Sequence, residues 1–322
     1  METLLLSAEE VRSLITMGEA INAVEEAFRL YALSKALMPP KVYLCFENGD
    51  LRAMPASIMG YAGVKWVNSH PENPGRGMPS VMAVLVLNDP TTGFPLAVRD
   101  ATFLTSLRTG AAGGVAIKHL ARKNSEIFGF VGCGKQARYQ LLAAMEVCNV
   151  ELVKAYDVNK RAEEKFREFC ESLGVECEVK ELEKVCDCDV LVTTTPSTKP
   201  IVKNEWVAEG THINAIGADA PGKQELEIEI LKRAKIVVDD IHQALHGGEI
   251  NVAVSNGLIS EKDIHATLGE VAAGLKRGRE GNEITIFDST GLAIQDIAVA
   301  KIVYEKAIEM SAGRRIRLVE TE

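Results

Sequence analysis

The stretch GCGKQA, residues 132–137, has the glycine spacing that a dinucleotide-binding turn requires. In such a turn the first glycine permits a tight bend, the second lets the pyrophosphate approach the backbone, and a small third residue lets the next helix pack on the sheet. Gly132, Gly134 and Ala137 supply these residues, and the positive end of the following helix would face the phosphates. The spacing predicts a dinucleotide site, and a glycine turn without a ligand is the plain structural alternative.

An acidic residue at the end of the next predicted strand favours the ligand-binding interpretation. Asp157 ends the segment VKAYD, 25 positions after Gly132, where a carboxylate can accept hydrogen bonds from both ribose hydroxyls. The same carboxylate would repel a 2′-phosphate, so the sequence favours NAD over NADP. Lys160 and Arg161 lie close enough to weaken that preference. A turn without a ligand leaves Asp157 unexplained.

Four cations in the first part of the chain, and one acid in the second, have the chemistry to handle a small substrate. Lys65 lies mid-strand in GVKWV, where it belongs either to a solvated face or to a desolvated site that lowers its pKa. Arg108, among the small residues of TSLRTGAAGG, can present its guanidinium to a carboxylate. Lys41 and Arg52 are lone cations, for which a surface position is the alternative. Asp219 follows a predicted strand and would face a cleft as an acid or base.

Two regions of the sequence, with different patterns of predicted secondary structure, indicate how these residues are positioned. Residues 1–115 begin with a helical pattern, VRSLITMGEAINAVEEAFRLYAL, that Ser7 can cap, and continue as short strand-like segments punctuated by Gly, Pro and Asn. From about residue 118, strands and helices alternate, which predicts a doubly wound parallel sheet of the Rossmann type. We therefore expect an α/β protein. A substrate and dimerisation domain, with a mostly antiparallel sheet, spans 1–115 plus about 300–322, and an NAD-binding domain spans 116–299.

Composition excludes several classes of function. The 322-residue chain has a net charge of −9 and no basic patch, so we expect neither nucleic acid nor anionic membrane as a partner. We find no signal peptide and no membrane span, and the seven scattered cysteines suit a reducing cytoplasm. The lone CxC of Cys186 and Cys188 and the His242/His246 pair lack the further ligands and motif order of metal sites. We expect no metal ion.

Several long segments, in order, resemble the ornithine cyclodeaminase/mu-crystallin family from about residue 5 to residue 312. They are KWVNSHPENPGRGMPSVMAVLVLND, TGFPLAVRDATFLTSLRTGAA, GCGKQA, NAIGADAPGKQEL and TIFDSTGLAIQD. Within that family the chain resembles the branch of archaeal NAD-dependent alanine dehydrogenases. The resemblance implies a homodimer, and it carries the family's active-site lysine onto Lys65, its carboxylate-binding arginine onto Arg108 and its catalytic aspartate onto Asp219.

The predicted turn, the loops that follow the predicted strands and the resemblance together suggest which residues contact NAD. The loops span residues 193–198, 215–223 and 287–291. The expected contacts are Arg108, Thr109, Gly132, Gly134, Lys135, Gln136, Asp157, Val158, Asn159, Thr195, Gly217, Ala218, Asp219, Lys223, Ser289 and Thr290.

One departure from the family bears on the substrate. Cyclodeaminases of this family carry a glutamate, tied to the distal amine of ornithine, where this chain has Arg52 in RAMP. An arginine would repel a second ammonium and favour a carboxylate, so Lys41, Arg52 and Arg108 are expected to surround the carboxylate of a small amino acid. The resemblance then implies reversible deamination of L-alanine to the 2-oxo acid pyruvate and ammonia. Ornithine cyclodeamination, ketimine reduction and non-catalytic binding of a nucleotide or small molecule are the alternatives.

Overall fold

A computed structural model describes residues 1–320 and divides them into two compact units. The first unit combines Met1–Arg108 with the described part of the segment that begins at Leu292, and the second is Thr109–Gly291. Residues 321–322 of the C-terminal segment assigned above to the substrate domain lie outside the described residues. The roles assigned to the two domains remain predictions.

The strands, in chain order, are β1 (Thr3–Leu6), β2 (Val42–Phe46), β3 (Gly49–Ile58), β4 (Tyr61–Ser69), β5 (Ala83–Asn88), β6 (Pro95–Asp100), β7 (Ile127–Val131), β8 (Leu152–Tyr156), β9 (Glu176–Val179), β10 (Val190–Thr193), β11 (His212–Ala215), β12 (Lys235–Val238), β13 (Ile264–Thr267), β14 (Thr285–Asp288) and β15 (Arg314–Ile316). The helices are α1 (Ala8–Ser13), α2 (Met17–Ala32), α3 (Thr102–Leu120), α4 (Lys135–Val147), α5 (Lys160–Ser172), α6 (Leu182–Cys186), α7 (Ile228–Arg233), α8 (Ile241–Gly247), α9 (Asn251–Ser255), α10 (Leu268–Ala272) and α11 (Ala293–Glu309).

The first unit is built on a mixed, mainly antiparallel sheet, as its strand-like segments predicted. Its strand order is β15-β1-β6-β5-β4-β3-β2, and the β1–β6 pair is parallel. Along β3, even-numbered residues from Arg52 to Ile58 are buried while their odd-numbered neighbours are partly exposed, which is the alternation of a sheet with one covered face. The register pairs Met54 with Lys65 and Lys65 with Leu85, so Lys65 lies on the covered face. Helix α11 packs against β3 and β4 there.

The N-terminal helical pattern forms two helices, α1 and α2. The predicted cap at Ser7 is confirmed: its hydroxyl accepts the Glu10 N–H at 3.3 Å and the Glu10 carboxylate accepts the Ser7 N–H at 2.7 Å. The chain then leaves the helix at Leu14, and a second capping box formed by Thr16 and Glu19 starts α2. Thr16 favours the N-cap position because its hydroxyl accepts a hydrogen bond from an N–H group that has no backbone acceptor at the start of a helix. This local preference divides the apolar pattern into two helices.

The second unit contains the predicted parallel sheet. Its strand order is β13-β12-β14-β11-β10-β7-β8-β9, and every pair in it is parallel. The chain begins the sheet at β7, builds outward through β8 and β9 on one side, and continues through β10 on the other. The order therefore reverses beside β7, and ligands bind at the carboxyl ends of strands at such a switch point.

No helix within residues 1–320 has the length and apolarity that a membrane span needs.

Candidate functional site

The first unit buries an ion pair between Lys65 and Asp296. Lys65 projects from the middle of β4, and Asp296 lies in the first turn of α11, which covers that face of the sheet. The Lys65 Nζ lies 2.9 Å from Oδ1 and 2.8 Å from Oδ2 of the Asp296 carboxylate. Both residues are buried, with exposed fractions of 0% and 1%. The interpretation of Lys65 as part of a solvated strand face is therefore wrong.

The pKa of Lys65 is lowered to about 7, mainly because burial removes the charged ammonium from water. The positive charges of Arg108 and Lys41 contribute to this decrease, whereas the Asp296 carboxylate opposes it by its charge and its hydrogen bond. A lysine with a pKa near neutrality exists in both protonation states at physiological pH. Lys65 can therefore donate and accept a proton, as general acid–base chemistry requires.

Arg108 is the second cation held by Asp296. It lies in the first half of α3 and is buried. Its Nε donates to Oδ1 of Asp296 at 3.1 Å and its Nη1 donates to Oε1 of Gln295 at 3.1 Å. A guanidinium has five N–H donors in a planar fork, so these two bonds fix its orientation and leave donors for a further acceptor. The structure thus brings Lys65 and Arg108, predicted separately, onto one carboxylate.

Arg52 lies on the same covered face of the sheet, on the strand next to Lys65. The register places it opposite Val67, so Arg52 and Lys65 are diagonal neighbours across β3 and β4. Its guanidinium donates to both oxygens of Asp50, at 2.6 Å and 3.0 Å, and lies 5.4 Å from the Tyr43 ring centroid. Lys41 directly precedes β2 and is half-buried, and its charge acts on Lys65.

Asp296 and Gln295 orient the two central cations and were not predicted from the sequence. Both are buried at the start of α11. An acidic residue in the first turn of a helix is also what the helix dipole favours, so Asp296 carried no distinct signal by itself. The segment TIFDSTGLAIQD contains both residues, and a buried carboxylate in an otherwise apolar helix is the feature that could have marked them.

In the second unit, the predicted glycine turn joins β7 to α4. Gly132 has φ +92°, a conformation that favours glycine, and its N–H donates to the Tyr156 carbonyl at 2.9 Å. Gly134 is the N-cap of α4 and supplies no side-chain cap, and a Cβ built on it would meet no atom within 4 Å. Ala137 is fully buried against the sheet. The uncapped helix N-terminus and the open space at Gly134 fit a pyrophosphate.

Asp157 lies one residue past the end of β8 and is tied to that turn. Its Oδ2 accepts the Cys133 N–H at 2.7 Å, and its Oδ1 accepts the Asn159 N–H at 2.8 Å. Asn159 caps α5 by accepting the Arg161 N–H at 3.1 Å. A carboxylate oxygen accepts more than one hydrogen bond, so these contacts fix Asp157 and leave it able to receive hydroxyl donors.

Two further buried carboxylates hold the loops that follow the central strands. Glu225 accepts the N–H of Thr195 at 2.6 Å and that of Gly217 at 3.0 Å, so one side chain joins the loops after β10 and β11. Asp239 accepts the Thr290 N–H and hydroxyl at 2.7 Å and 2.9 Å and the Gly291 N–H at 2.7 Å. Neither acid was predicted from the sequence, because their partners are backbone groups distant in sequence.

Apart from Thr109 on α3, the remaining residues predicted for the second unit follow strands at the same edge of the sheet. The Asp219 carboxylate pairs with the Lys223 Nζ at 2.6 Å. The Ser289 N–H donates to the Ala215 carbonyl at 3.1 Å, which holds the loop after β14 against β11. Among the others, the Thr109 carbonyl accepts a hydrogen bond from the Gln140 side chain. Lys135 and Val158 are exposed, Gln136 is half-buried and Ala218 is buried. Residues that follow β7, β8, β10, β11 and β14 therefore lie at the carboxyl edge of the sheet, where ligands bind beside a switch point.

The histidine and cysteine pairs considered for metal are engaged in other contacts. The rings of His242 and His246 stack with centroids 4.4 Å apart, and the Cys188 thiol donates to the Cys186 carbonyl at 3.6 Å. In the part of the chain that the structure describes, no three His, Cys, Asp or Glu side chains form a group that could hold a metal ion.

Comparisons with known proteins give a consistent result over the whole chain. The sequence model described as the ornithine cyclodeaminase/mu-crystallin family matches residues 1–311. Alanine dehydrogenase of Archaeoglobus fulgidus is 69% identical over 318 residues, which are 98% of this chain and 99% of that protein. A solved archaeal alanine dehydrogenase dimer with bound NAD superposes with a TM-score of 0.98 at 68% identity, covering 99% of this chain and 100% of that one. A Thermococcus litoralis Δ1-pyrroline-2-carboxylate reductase, solved with NADH and L-proline, gives a TM-score of 0.95 at 43% identity, with coverage of 98% and 100%.

Proposed function

We propose that this chain, which belongs to the ornithine cyclodeaminase/mu-crystallin family, is an enzyme that deaminates L-alanine to pyruvate and ammonia with NAD, and that catalyses the reverse amination. The observation that carries the proposal is Lys65, a buried lysine with a pKa of about 7 among cations suited to a carboxylate. The A. fulgidus relative, an alanine dehydrogenase, supports alanine as the substrate.

The second unit would bind NAD at the carboxyl edge of its parallel sheet. Gly132 and Gly134 would admit the pyrophosphate to the N-terminus of α4, and Asp157 would accept the adenosine ribose hydroxyls. The loops held by Glu225 and Asp239 would face the nicotinamide half, since they follow strands on the other side of the switch point. When bound, NAD supplies a hydride acceptor.

The cations of the first unit would bind the carboxylate of the amino acid. Arg108 would use the guanidinium donors that Asp296 and Gln295 leave, and Arg52 and Lys41 would add positive charge. Asp50 fixes the Arg52 fork in place. Lys41, Arg52 and Arg108 outnumber the two carboxylates, Asp50 and Asp296, that pair with the cations of this set. The remaining positive charge would repel a second ammonium on the substrate, so a short, uncharged side chain is favoured.

Lys65 would move the proton that the chemistry needs. The amino group of alanine must be neutral before its electron pair can assist loss of hydride from Cα, and neutral Lys65 can take that proton. The resulting iminium is attacked by water, and collapse of the adduct gives pyruvate and ammonia. Asp219, with its carboxylate next to Lys223, would stabilise the iminium and orient the water. In the reverse direction Lys65 returns the proton.

The assembly and the location of the protein belong to the same proposal. The archaeal relative was solved as a dimer, and we propose a homodimer for this chain as well. A cytoplasmic location agrees with its cysteines, which are all free in the structure.

The proposal is tested by incubating the purified protein with NAD and a panel of L-amino acids, and measuring both NADH and proline. We expect NADH from L-alanine, in equal amount to pyruvate and ammonia. No NADH from any small amino acid would contradict the proposal, and proline from ornithine without net NADH would identify a cyclodeaminase instead.

Reduction of a cyclic imine is the second candidate, favoured by the similarity to the T. litoralis reductase. The same cations suit the carboxylate of Δ1-pyrroline-2-carboxylate, and Lys65 can protonate an imine nitrogen. Assays with this imine and NADH separate the two candidates, because an imine reductase consumes NADH without ammonia, whereas an alanine dehydrogenase requires ammonia with pyruvate.

A further inference from the structure

The first turn of α5 carries two cations directly after the proposed ribose-binding carboxylate. Lys160 is the first residue of the helix and Arg161 is the second. Cations are disfavoured at a helix N-terminus, where the dipole attracts anions. Lys160, Arg161 and the helix N-terminus together are suited to a 2′-phosphate, the group that distinguishes NADP from NAD. If the turn selects NAD, another group must offset these positive charges.

Glu163 lies one helical turn along from Lys160 and engages it. The Lys160 Nζ is 3.1 Å from Oε1 and 3.0 Å from Oε2 of Glu163. Glu163 is buried, whereas the Lys160 side chain is mostly exposed. The Oε1 atom of Glu163 also accepts the Asp157 N–H at 3.0 Å. Glu163 therefore contacts both the cation that could bind a 2′-phosphate and the backbone of the carboxylate that would repel one.

We propose that Glu163 is a second determinant of selectivity for NAD over NADP, acting by holding and neutralising Lys160 beside Asp157. The inference rests on the proposed binding of NAD to the second unit. Without Glu163, Asp157 would supply one negative charge against the two cations that begin α5, so its repulsion of a 2′-phosphate would be largely offset. With Glu163 present, the two carboxylates balance Lys160 and Arg161, and Lys160 is held by hydrogen bonds to a buried partner. A phosphate would have to compete with that partner for the ammonium.

Glu163→Gln tests the inference because the amide keeps an oxygen for the Asp157 N–H and removes the charge that holds Lys160. Glu164→Gln is the matched control, since it removes the same charge from the adjacent, exposed position on α5. The dissociation constants of NADH and NADPH are measured for each protein by nicotinamide fluorescence titration at fixed ionic strength. We expect Glu163→Gln to improve the affinity for NADPH relative to NADH about tenfold, and Glu164→Gln to change that ratio less than about twofold.

Lys160→Met separates the role of Lys160 from a general change in charge. In the Glu163→Gln background it should cancel the gain and return the ratio to within about threefold of the parent protein. In the parent background it should shift the ratio further towards NADH, because the Glu163 charge is then unopposed. Lys160 is exposed, so this single variant keeps the inference testable even if Glu163→Gln does not fold: an unchanged NADPH/NADH ratio in Lys160→Met would overturn it.

A NADPH/NADH ratio that is unchanged in Glu163→Gln would overturn the inference. So would a gain that persists without Lys160, or an equal gain in Glu164→Gln. Because the readout is binding, it is independent of the substrate assay. A protein that binds neither NADH nor NADPH would instead contradict the proposed function.

Discussion

The proposed substrate residues and the proposed cofactor residues are held in different ways. In the first unit, Asp296 holds two buried cations, Lys65 and Arg108, through side-chain contacts of 2.8 to 3.1 Å. In the second unit, carboxylates such as Glu225 accept hydrogen bonds from backbone N–H groups, and Gly134, which has no side chain, leaves open space at the N-terminus of α4. The function proposed for the first unit therefore depends on a protonation state, whereas the function proposed for the second depends on the shape of the backbone. Substitutions should affect the two units in correspondingly different ways.

The largest effect is expected from Lys65→Met. This change removes the proton donor and acceptor but keeps an apolar chain of similar length, so NADH formation from alanine should fall ~10³-fold. NADH binding, which we assign to the other unit, should change little. Steady-state rates and fluorescence titration measure the two quantities. The exposed Lys35→Met provides the control and should retain full activity; a Lys65→Met protein with ordinary turnover would remove Lys65 from the mechanism.

Asp296→Asn should have the next largest effect, on both activity and stability. Without the carboxylate, the pKa of Lys65 should fall below its value of about 7, because Asp296 is the group that favours the charged ammonium. In a plot of kcat/KM against pH, the change caused by titration of Lys65 should then move to lower pH. Two buried cations lose their common partner, so the free energy of unfolding should decrease by about 3 kcal/mol.

The control for Asp296→Asn is Glu305→Gln, which changes an exposed carboxylate on the same helix. It should leave both the pH profile and the stability close to those of the parent. A pH limb that stays in place in Asp296→Asn would show that Asp296 does not set the protonation of Lys65.

The two glycines of the turn should respond differently to alanine. Gly134 has φ −77° and open space around it, so Gly134→Ala should leave the melting temperature unchanged and weaken NADH binding roughly tenfold by crowding the pyrophosphate. Gly132 has φ +92°, and a Cβ there would lie 2.9 Å from the Thr194 hydroxyl oxygen. Gly132→Ala should therefore lower the stability itself, by about 1 kcal/mol or more. Tight NADH binding by Gly134→Ala would place the pyrophosphate elsewhere.

The smallest effect per pH unit is a difference in how Asp288 of the second unit and Lys65 of the first make stability depend on pH. Burial, followed by the charge of Asp239, raises the pKa of Asp288 in β14 from 3.8 to about 8. The native protein thus binds more protons than the unfolded chain between these values, and this contribution to stability is lost as pH rises to 8. Lys65 has the opposite sign: its native pKa of about 7 lies below 10.5, so its contribution improves as pH rises above 7.

Urea unfolding from pH 5 to pH 10 measures both contributions. Asp288→Asn should reduce the decline in stability below pH 8, and Lys65→Met should reduce the rise above pH 7, each by up to about 1 kcal/mol per pH unit. Identical pH slopes in the parent and both variants would show that neither group titrates with a shifted pKa.

The same contrast explains what the sequence could predict. The turn at Gly132 and the parallel sheet were predictable, because backbone geometry requires glycine at short, fixed spacing and buried strands require apolar runs. The mainly antiparallel sheet of the first unit was predictable from alternation, and the ornithine cyclodeaminase/mu-crystallin resemblance was confirmed by the family match. Strands β1 and β15 were missed, since β1 runs directly into the helical pattern that Ser7 caps and the three residues of β15 are too few to show alternation.

The partners of the charged residues could not be predicted. Asp296 lies 231 positions from Lys65 and 188 from Arg108, and no spacing rule connects them. Alternation along β4 placed Lys65 on one face of a strand but did not reveal which face α11 covers. Glu225 and Asp239 accept hydrogen bonds from backbone groups, which every residue carries, so no residue type in the sequence identifies their partners.

The most direct test of the central claim follows the hydrogen at Cα. The purified protein is supplied with NAD and L-alanine deuterated at C2, and the mass of the NADH formed is measured beside the amounts of pyruvate and ammonia. The account predicts NADH one mass unit heavier than that from unlabelled alanine, with one pyruvate and one ammonia for each NADH. Unlabelled NADH, or no NADH while the protein binds the cofactor, would contradict it.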